Sequence, residues 1–362
     1  MGSQLRIPGP TPVPPEVLQA LSRPMINHRA PEFHRLLISL TERLQSVLDT
    51  RNEVLVLSAS GTGGLEAAVA NTISPGDDVL AITIGHFGER FAEIAARYGA
   101  RLDYLRFAPG SAADAGRVAG QVCKRRYAAV LVTHSETSTG VLNDLDALSW
   151  ALDQAGERPL LLVDGVSSLA GVPLGLRDDE CDVAVTASQK AWMAPPGLAM
   201  LSVSQRAWEH IETCRSPRSY LDLLAARRFG RRGETPWTPA IPQLNGLDVA
   251  LDLILSEGTA NVYARHQRLA TRFRAGLRQL RLQPLAAEDI ASPTVTAALL
   301  PDGLASRAVI ERLRLGYAVD VADGQDELKG KAIRVGHMGY VREGDIDGLL
   351  AALGGVLSPQ SA

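Results

Sequence analysis

Apolar residues recur at helical spacing over residues 31–48, where Phe33, Leu36, Leu37, Leu40, Leu44, Val47 and Leu48 share one side. Residues 16–21 show the same spacing. Short, mostly apolar runs follow at 53–58, 78–84, 101–105, 128–133, 159–163 and 183–188, and read as strands. Helical patterns at 65–72, 89–98, 115–124 and 145–155 separate them. Apolar strands alternating with amphipathic helices predict a mostly parallel sheet covered on both faces. From Gly246 the pattern changes: one long helix is predicted over 247–256 and on through Tyr263 to Leu280. Strands near 294–300, 317–321 and 332–336 follow, with a terminal helix after Arg342. The run Ile7-Pro8-Gly9-Pro10-Thr11-Pro12-Val13-Pro14-Pro15 can be neither helix nor central strand, because proline fixes φ and removes donors. The expected division is an N-terminal extended arm (1–20), a large α/β domain (21–245) and a smaller α+β domain (246–362).

Composition narrows the function classes. A chain of 362 residues with 46% hydrophobic and 21% charged residues is long enough for about two domains. The 37 Lys and Arg nearly balance the 40 Asp and Glu, so no overall cationic field favours nucleic acid or an anionic membrane. The clusters at 124–126 and 227–232 read as solvated faces. Cys123, Cys181 and Cys214 form no CxxC pair, which suggests neither a disulfide framework nor a metal site. No run approaches the roughly 18–20 apolar residues of a membrane helix. Arg6 stands where a myristoylation signal starting at Gly2 needs Ser or Thr. A cytoplasmic protein is expected.

Three features carry candidate chemistry. Ser58-Ala59-Ser60-Gly61-Thr62-Gly63-Gly64 lies where a strand passes into a helix, so amides, hydroxyls and the helix dipole can hold a phosphate there. It matches neither the Walker pattern nor GxGxxG, and it serves equally as a tight turn. Asp164 ends the strand Leu160-Leu161-Leu162-Val163, at the sheet edge where α/β proteins bind ligands. Lys190 follows the strand ending in Ala187-Ser188-Gln189, among small and apolar neighbours; desolvation there would lower its pKa and make the amine nucleophilic. Taken singly, a helix-capping Asp and a snorkelling surface Lys are plainer readings. Together, a phosphate cup, an acid and an amine match the phosphate, ring nitrogen and aldehyde of pyridoxal 5′-phosphate. Phe87 in Gly85-His86-Phe87-Gly88 offers a ring to stack on it, or a core side chain.

The chain resembles the alanine–glyoxylate and serine–glyoxylate aminotransferases, class V of the fold-type-I pyridoxal-phosphate enzymes. The resemblance rests on Pro8-Gly9-Pro10-Thr11, Ser60-Gly61-Thr62-Gly63-Gly64-Leu65-Glu66-Ala67, Thr133-His134-Ser135-Glu136-Thr137-Ser138-Thr139-Gly140, Val163-Asp164-Gly165-Val166, Ser188-Gln189-Lys190-Ala191 with Pro195-Pro196-Gly197, and Ile333-Arg334-Val335-Gly336-His337-Met338-Gly339. These blocks occur in order over nearly the whole chain. The resemblance implies a large domain with a mostly parallel, seven-stranded-type sheet and pyridoxal 5′-phosphate as cofactor. It implies that Lys190 binds the cofactor aldehyde and moves the substrate proton, while Asp164 pairs with the ring nitrogen. Ser60, Gly61, Thr62 and Gln189 would hold the phosphate, with Ser188 as a further candidate and Thr238 reaching it from the neighbouring subunit. Thr137 would reach the phenolic oxygen, with Val166 and Phe87 on the two ring faces; the family more often has Trp or another aromatic at the position of Phe87. Arg334 would grip the substrate carboxylate. Pro8, Gly9, Asn27, His28 and Arg29 would line the substrate side, with Arg29 able to take a second anionic group.

The implied activity is ping-pong transfer of an amino group from alanine or serine to glyoxylate or pyruvate, in a homodimer with shared sites. Relatives that take 2-aminoethylphosphonate, ureidoglycine or pyridoxamine share the core motifs. Cysteine desulfurases usually carry His before the lysine and a Cys on a late loop; here Gln189 and the Cys-free Ala322-Asp323-Gly324-Gln325-Asp326-Glu327 stand instead. A catalytically silent subunit would be expected to lack Lys190, Asp164 or Arg334, and all three are present.

Overall fold

In the computed structural model, residues 4–358 are described; Gly2, Ser3 and the other terminal residues lie outside them. Seven strands form the main sheet: β1 (Glu53–Leu57), β2 (Asp78–Thr83), β3 (Arg101–Arg106), β4 (Ala129–Thr133), β5 (Leu160–Asp164), β6 (Val183–Ala187) and β7 (Ala199–Val203). Their spatial order is β1-β7-β6-β5-β4-β2-β3. Every pairing is parallel except those of β7, which runs antiparallel to both β1 and β6. The sequence reading missed β7. Since β7 reverses direction between them, β1 points the same way as β6, and the C-terminal ends of β1, β2, β4, β5 and β6 share one edge.

Alternate strand residues feed two cores. Leu161, Val163, Val130 and Val132 pack with α1 (Pro31–Leu48) on one face, while Leu160, Leu162, Ala129 and Leu131 pack on the other with α2 (Gly61–Thr72) and α3 (His86–Arg97). Continuous apolar strands are what burial on both faces requires. Helix α2 begins at Gly61 rather than near Leu65, so the glycine-rich run is itself the first helical turn. Ser60 is its N-cap and accepts from the Gly63 amide at 3.2 Å.

The last third contains α4 (Ile241–Glu257), α5 (Thr259–Gln279) and α6 (Ser306–Tyr317). Four strands, β8 (Gln283–Pro284), β9 (Val295–Leu299), β10 (Ala322–Asp323) and β11 (Ala332–Gly336), form a second sheet in the order β8-β9-β11-β10. The single helix expected over 247–280 is two, because Gly258 takes a positive φ of 84° and ends α4. The strand expected over 317–321 is also corrected. Tyr317 closes α6, Ala318 turns at φ 53°, and Val319–Asp320 pairs in parallel with Gln4–Leu5 of the arm instead of joining the small sheet. The arm is extended only in part, since Pro15–Ala20 is helical.

Candidate active site

Lys190 sits in the turn after β6, and local bonds shape that turn. Ser188 Oγ donates to the Pro195 carbonyl at 2.6 Å, and the Trp192 indole donates to Thr186 Oγ1 at 2.8 Å. Thr11 of the arm donates its amide to the Gln189 carbonyl at 3.0 Å and its hydroxyl to the Lys190 carbonyl at 2.9 Å. The amine itself donates to the Pro8 carbonyl at 2.5 Å. Gly9 closes over it: a Cβ there would lie 2.7 Å from Nζ, and φ is +141°. Burial pulls the lysine down to about 8, opposed by the charge of Asp164 and assisted by Arg334 and Arg90.

Asp164 ends β5, fully enclosed, with Oδ1 accepting from the Val166 amide at 3.0 Å. Burial pushes it up to about 7, against the Val166 hydrogen bond, and the charge of Glu136 pushes the same way while Lys190 and Arg90 pull it back. A cationic ring nitrogen beside it would restore the ionised form. Val166 turns its methyls toward the cup, where a Cβ on Gly61 would be 3.0 Å from Val166 and 3.2 Å from Ala187. Cup, acid and lysine turn are therefore contiguous.

Thr137, buried on the turn after β4, shares a 2.6 Å hydrogen bond with Ser167. Phe87 lies in the first turn of α3. The wholly buried Glu136 carboxylate accepts from the amides of Phe87 at 3.1 Å and Gly88 at 3.1 Å, and from Ser138 Oγ at 2.6 Å. An acid at a helix N-terminus satisfies donors that the helix leaves open. Arg334 projects from β11; its Nε donates to the Asp323 carbonyl at 2.7 Å and one Nη to the Thr137 carbonyl at 3.5 Å. Burial lowers its pKa, opposed by Glu136 and Asp323.

Asn27, His28, Arg29 and Thr238 are not drawn into this cluster. Arg29 pairs with Glu234 at 3.2 Å and donates to the Thr235 carbonyl at 2.8 Å, while Asn27 accepts from the Arg29 amide. Thr238 is exposed on the same segment, next to the stacked pair Tyr220–Trp237. Sequence reasoning assigned no role to Arg90, Glu136, Ser167 or Asp323. Glu136 lay inside a quoted motif, and Arg90 follows Phe87 by one helical turn; those were the available signals.

The class-V aminotransferase family matches residues 5–326. The chain belongs to it. A soluble hydrogenase small subunit of Synechococcus is 39% identical over 98% of this chain and 93% of that protein. An L-aspartate–glyoxylate aminotransferase of Paracoccus denitrificans is 37% identical over 93% and 86%. The solved alanine–glyoxylate aminotransferase of Nostoc superposes with a TM-score of 0.95 at 33% identity, covering 99% of this chain and 96% of that one. The expected fold type is thereby established, as is the class: a pyridoxal-phosphate-dependent transaminase.

The residues present fit that cofactor. The Gly61 and Thr62 amides open the first turn of α2 and have no helical partner. The buried Gln189 Oε1 has no protein partner among the described residues, and the same amide turned end for end would present its NH2 to a phosphate there. An acid and an amine, both displaced toward neutrality, lie within electrostatic reach of each other, and the amine also within reach of Arg334. No group of three or more His, Cys, Asp or Glu that could hold a metal occurs among the described residues. No helix among them is long and apolar enough to cross a membrane.

Proposed function

We propose that this transaminase moves the amino group of a small amino acid, alanine or serine, to a small 2-oxo acid, glyoxylate or pyruvate. Pyridoxal 5′-phosphate supplies the aldehyde that takes up an amine and the ring that accepts the electron pair left when the α-proton departs. Lys190 is the residue that holds the aldehyde at rest and, as a free amine, takes the proton from the substrate α-carbon. Burial of the amine lowers its pKa, which favours the unprotonated form that this step needs. Asp164 keeps the ring nitrogen protonated; Ser60, Gly61, Thr62 and Gln189 bind the phosphate; Thr137 contacts the phenolic oxygen; Val166 and Phe87 enclose the ring. Arg334 takes the substrate carboxylate, and Pro8 and Gly9 wall the site.

A homodimer in the cytoplasm is part of this reading. Support for the homodimer is the surface bearing Asn27, His28, Arg29 and Thr238, where Met25, Tyr220 and Trp237 are exposed at 62%, 53% and 46%. Thr238 and Arg29 would then serve the partner's site.

The observation that carries the proposal is the enclosed Lys190 amine lying within electrostatic reach of both Asp164 and Arg334. The test mixes cofactor-loaded protein with alanine, serine, glycine, 2-aminoethylphosphonate or pyridoxamine in turn and follows the visible absorbance. Alanine or serine should bleach the resting band fastest. Bleaching confined to pyridoxamine or the phosphonate would overturn the assignment.

A further inference from the structure

Arg334 is held within a closed circuit of contacts, one link of which lies outside the cluster described above. Its Nε bonds the Asp323 carbonyl, and the loop that follows is tight: the Gly324 amide donates to the Ala332 carbonyl at 2.9 Å. A Cβ on Gly324 would fall 2.1 Å from the Leu328 carbonyl oxygen, so backbone packs directly on backbone across this loop. Three residues after Asp323, Asp326 stands at φ 49°, a left-handed conformation that Asp adopts more readily than most residues. Its carboxylate meets His86 Nδ1 at 3.0 Å, and His86 Nε2 meets an Arg90 Nη at 3.0 Å.

The chemistry of this chain allows one arrangement. Arginine can only donate, so Nε2 accepts; the ring proton is then on Nδ1 and points to Asp326. Arg90 also places its guanidinium carbon 4.8 Å above the Phe87 ring. From α3 the circuit returns through Glu136 and Ser138, which cap the helix, to Thr137, whose carbonyl accepts from Arg334.

We propose that Asp326 and His86 are positioning residues for Arg334: their hydrogen bond ties the loop that carries the Asp323 carbonyl to the helix that carries Phe87 and Arg90. The inference rests on the assignment of Arg334 to the substrate carboxylate. Asp326 touches no reacting atom; it acts through His86 and through its own loop. Its side chain is 61% exposed, so the contact adds little to global stability, and a purely structural role would leave binding unmoved.

Propionate, a carboxylate without an amine, is the probe. Its binding to the cofactor-loaded protein is measured by calorimetry beside steady-state kinetics with the preferred amino acid. In Asp326→Ala both the propionate Kd and the KM should rise roughly tenfold, with kcat held within about threefold. Asp326→Asn, which still accepts from Nδ1–H, should stay within about threefold of the parent in both. His86→Ala should match Asp326→Ala, and the double variant should be no worse than either. An unchanged propionate Kd in a folded Asp326→Ala overturns the positioning role and leaves that of Arg334 standing. Propionate binding that survives intact in Arg334→Ala would overturn the assignment of Arg334 and this inference with it.

Discussion

The amine of Lys190 and the carbonyl oxygen of Pro8 lie 2.5 Å apart, although 182 positions separate them in the chain. The arm is thus a wall of the lysine pocket, and it meets the amine through backbone, with Gly9 leaving no room for a side chain. Gly9→Ala should therefore damage function through crowding and a strained φ. The expected outcome is at least a tenfold loss in kcat/KM together with about 1–3 kcal/mol of stability, read by kinetics and denaturant melts. Lys190→Ala, by contrast, should fold normally, lose the resting absorbance band and lose turnover.

Asp164 is a carboxylate kept where burial opposes its charge. An acid raised in the fold to about 7 binds its proton more readily there than in the unfolded chain, so stability falls as pH rises from about 4 to 7. Asp164→Asn should abolish transamination yet stabilise the cofactor-free protein by about 1 kcal/mol or more at pH 8. The gain should shrink toward pH 4. Urea melts of both proteins across this range check it, and a destabilised Asn variant at pH 8 would contradict it.

His134, His266 and His337 are wholly enclosed and held neutral, pulled down to about 4, 4 and 3. His266 lies between the Val262 carbonyl at Nδ1 and the Gly339 amide at Nε2, and His337 between the Pro293 carbonyl and Thr296 Oγ1, which favours the Nδ1–H tautomer in both. The unfolded chain binds protons first as pH drops, so this contribution is complete above about pH 6.5 and is lost toward pH 4. Each imidazole adds about 1.4 kcal/mol per pH unit to that slope. Denaturant midpoints measured between pH 7 and 4.5 should show it, and His266→Gln should flatten it.

Arg334 offers a planar fork, with Nε on the Asp323 carbonyl and one Nη on the Thr137 carbonyl. Lysine cannot reproduce that geometry. Arg334→Lys should weaken carboxylate binding by about 1–3 kcal/mol, seen as a higher KM with a smaller change in kcat. An unaltered KM would remove Arg334 from this role.

Glu136 caps α3 from across the sheet edge. Glu136→Ala leaves buried amides unpaired and should cost about 1–3 kcal/mol. Glu136→Gln should keep an acceptor and lose less, while removing a charge that pushes Asp164 up and supports Arg334. Thermal melts and cofactor titrations separate the two effects.

Much of the candidate site was legible locally. Asp164 ends one buried strand and Lys190 lies in the turn after the next, and alternation of apolar runs with helices is enough to bring strand ends to one edge of a sheet. The junction Ser58–Gly64 was likewise visible as an anion cup or tight turn, whereas the helix start at Gly61 and the closure of Gly9 over Lys190 were not. What the chain alone determined is this placement, because strand period, helix period and turn residues act over a few neighbours. The tertiary structure decided the rest: the reversed β7, the break at Gly258, the pairing of the arm with residues 319–320, the capping of α3 by Glu136, and the Asp326–His86–Arg90 chain. Apart from the break at Gly258, which one glycine's positive φ makes, those features join residues tens to hundreds of positions apart, and their partners are chosen by packing and by the need to satisfy buried polar groups, for which no local pattern exists.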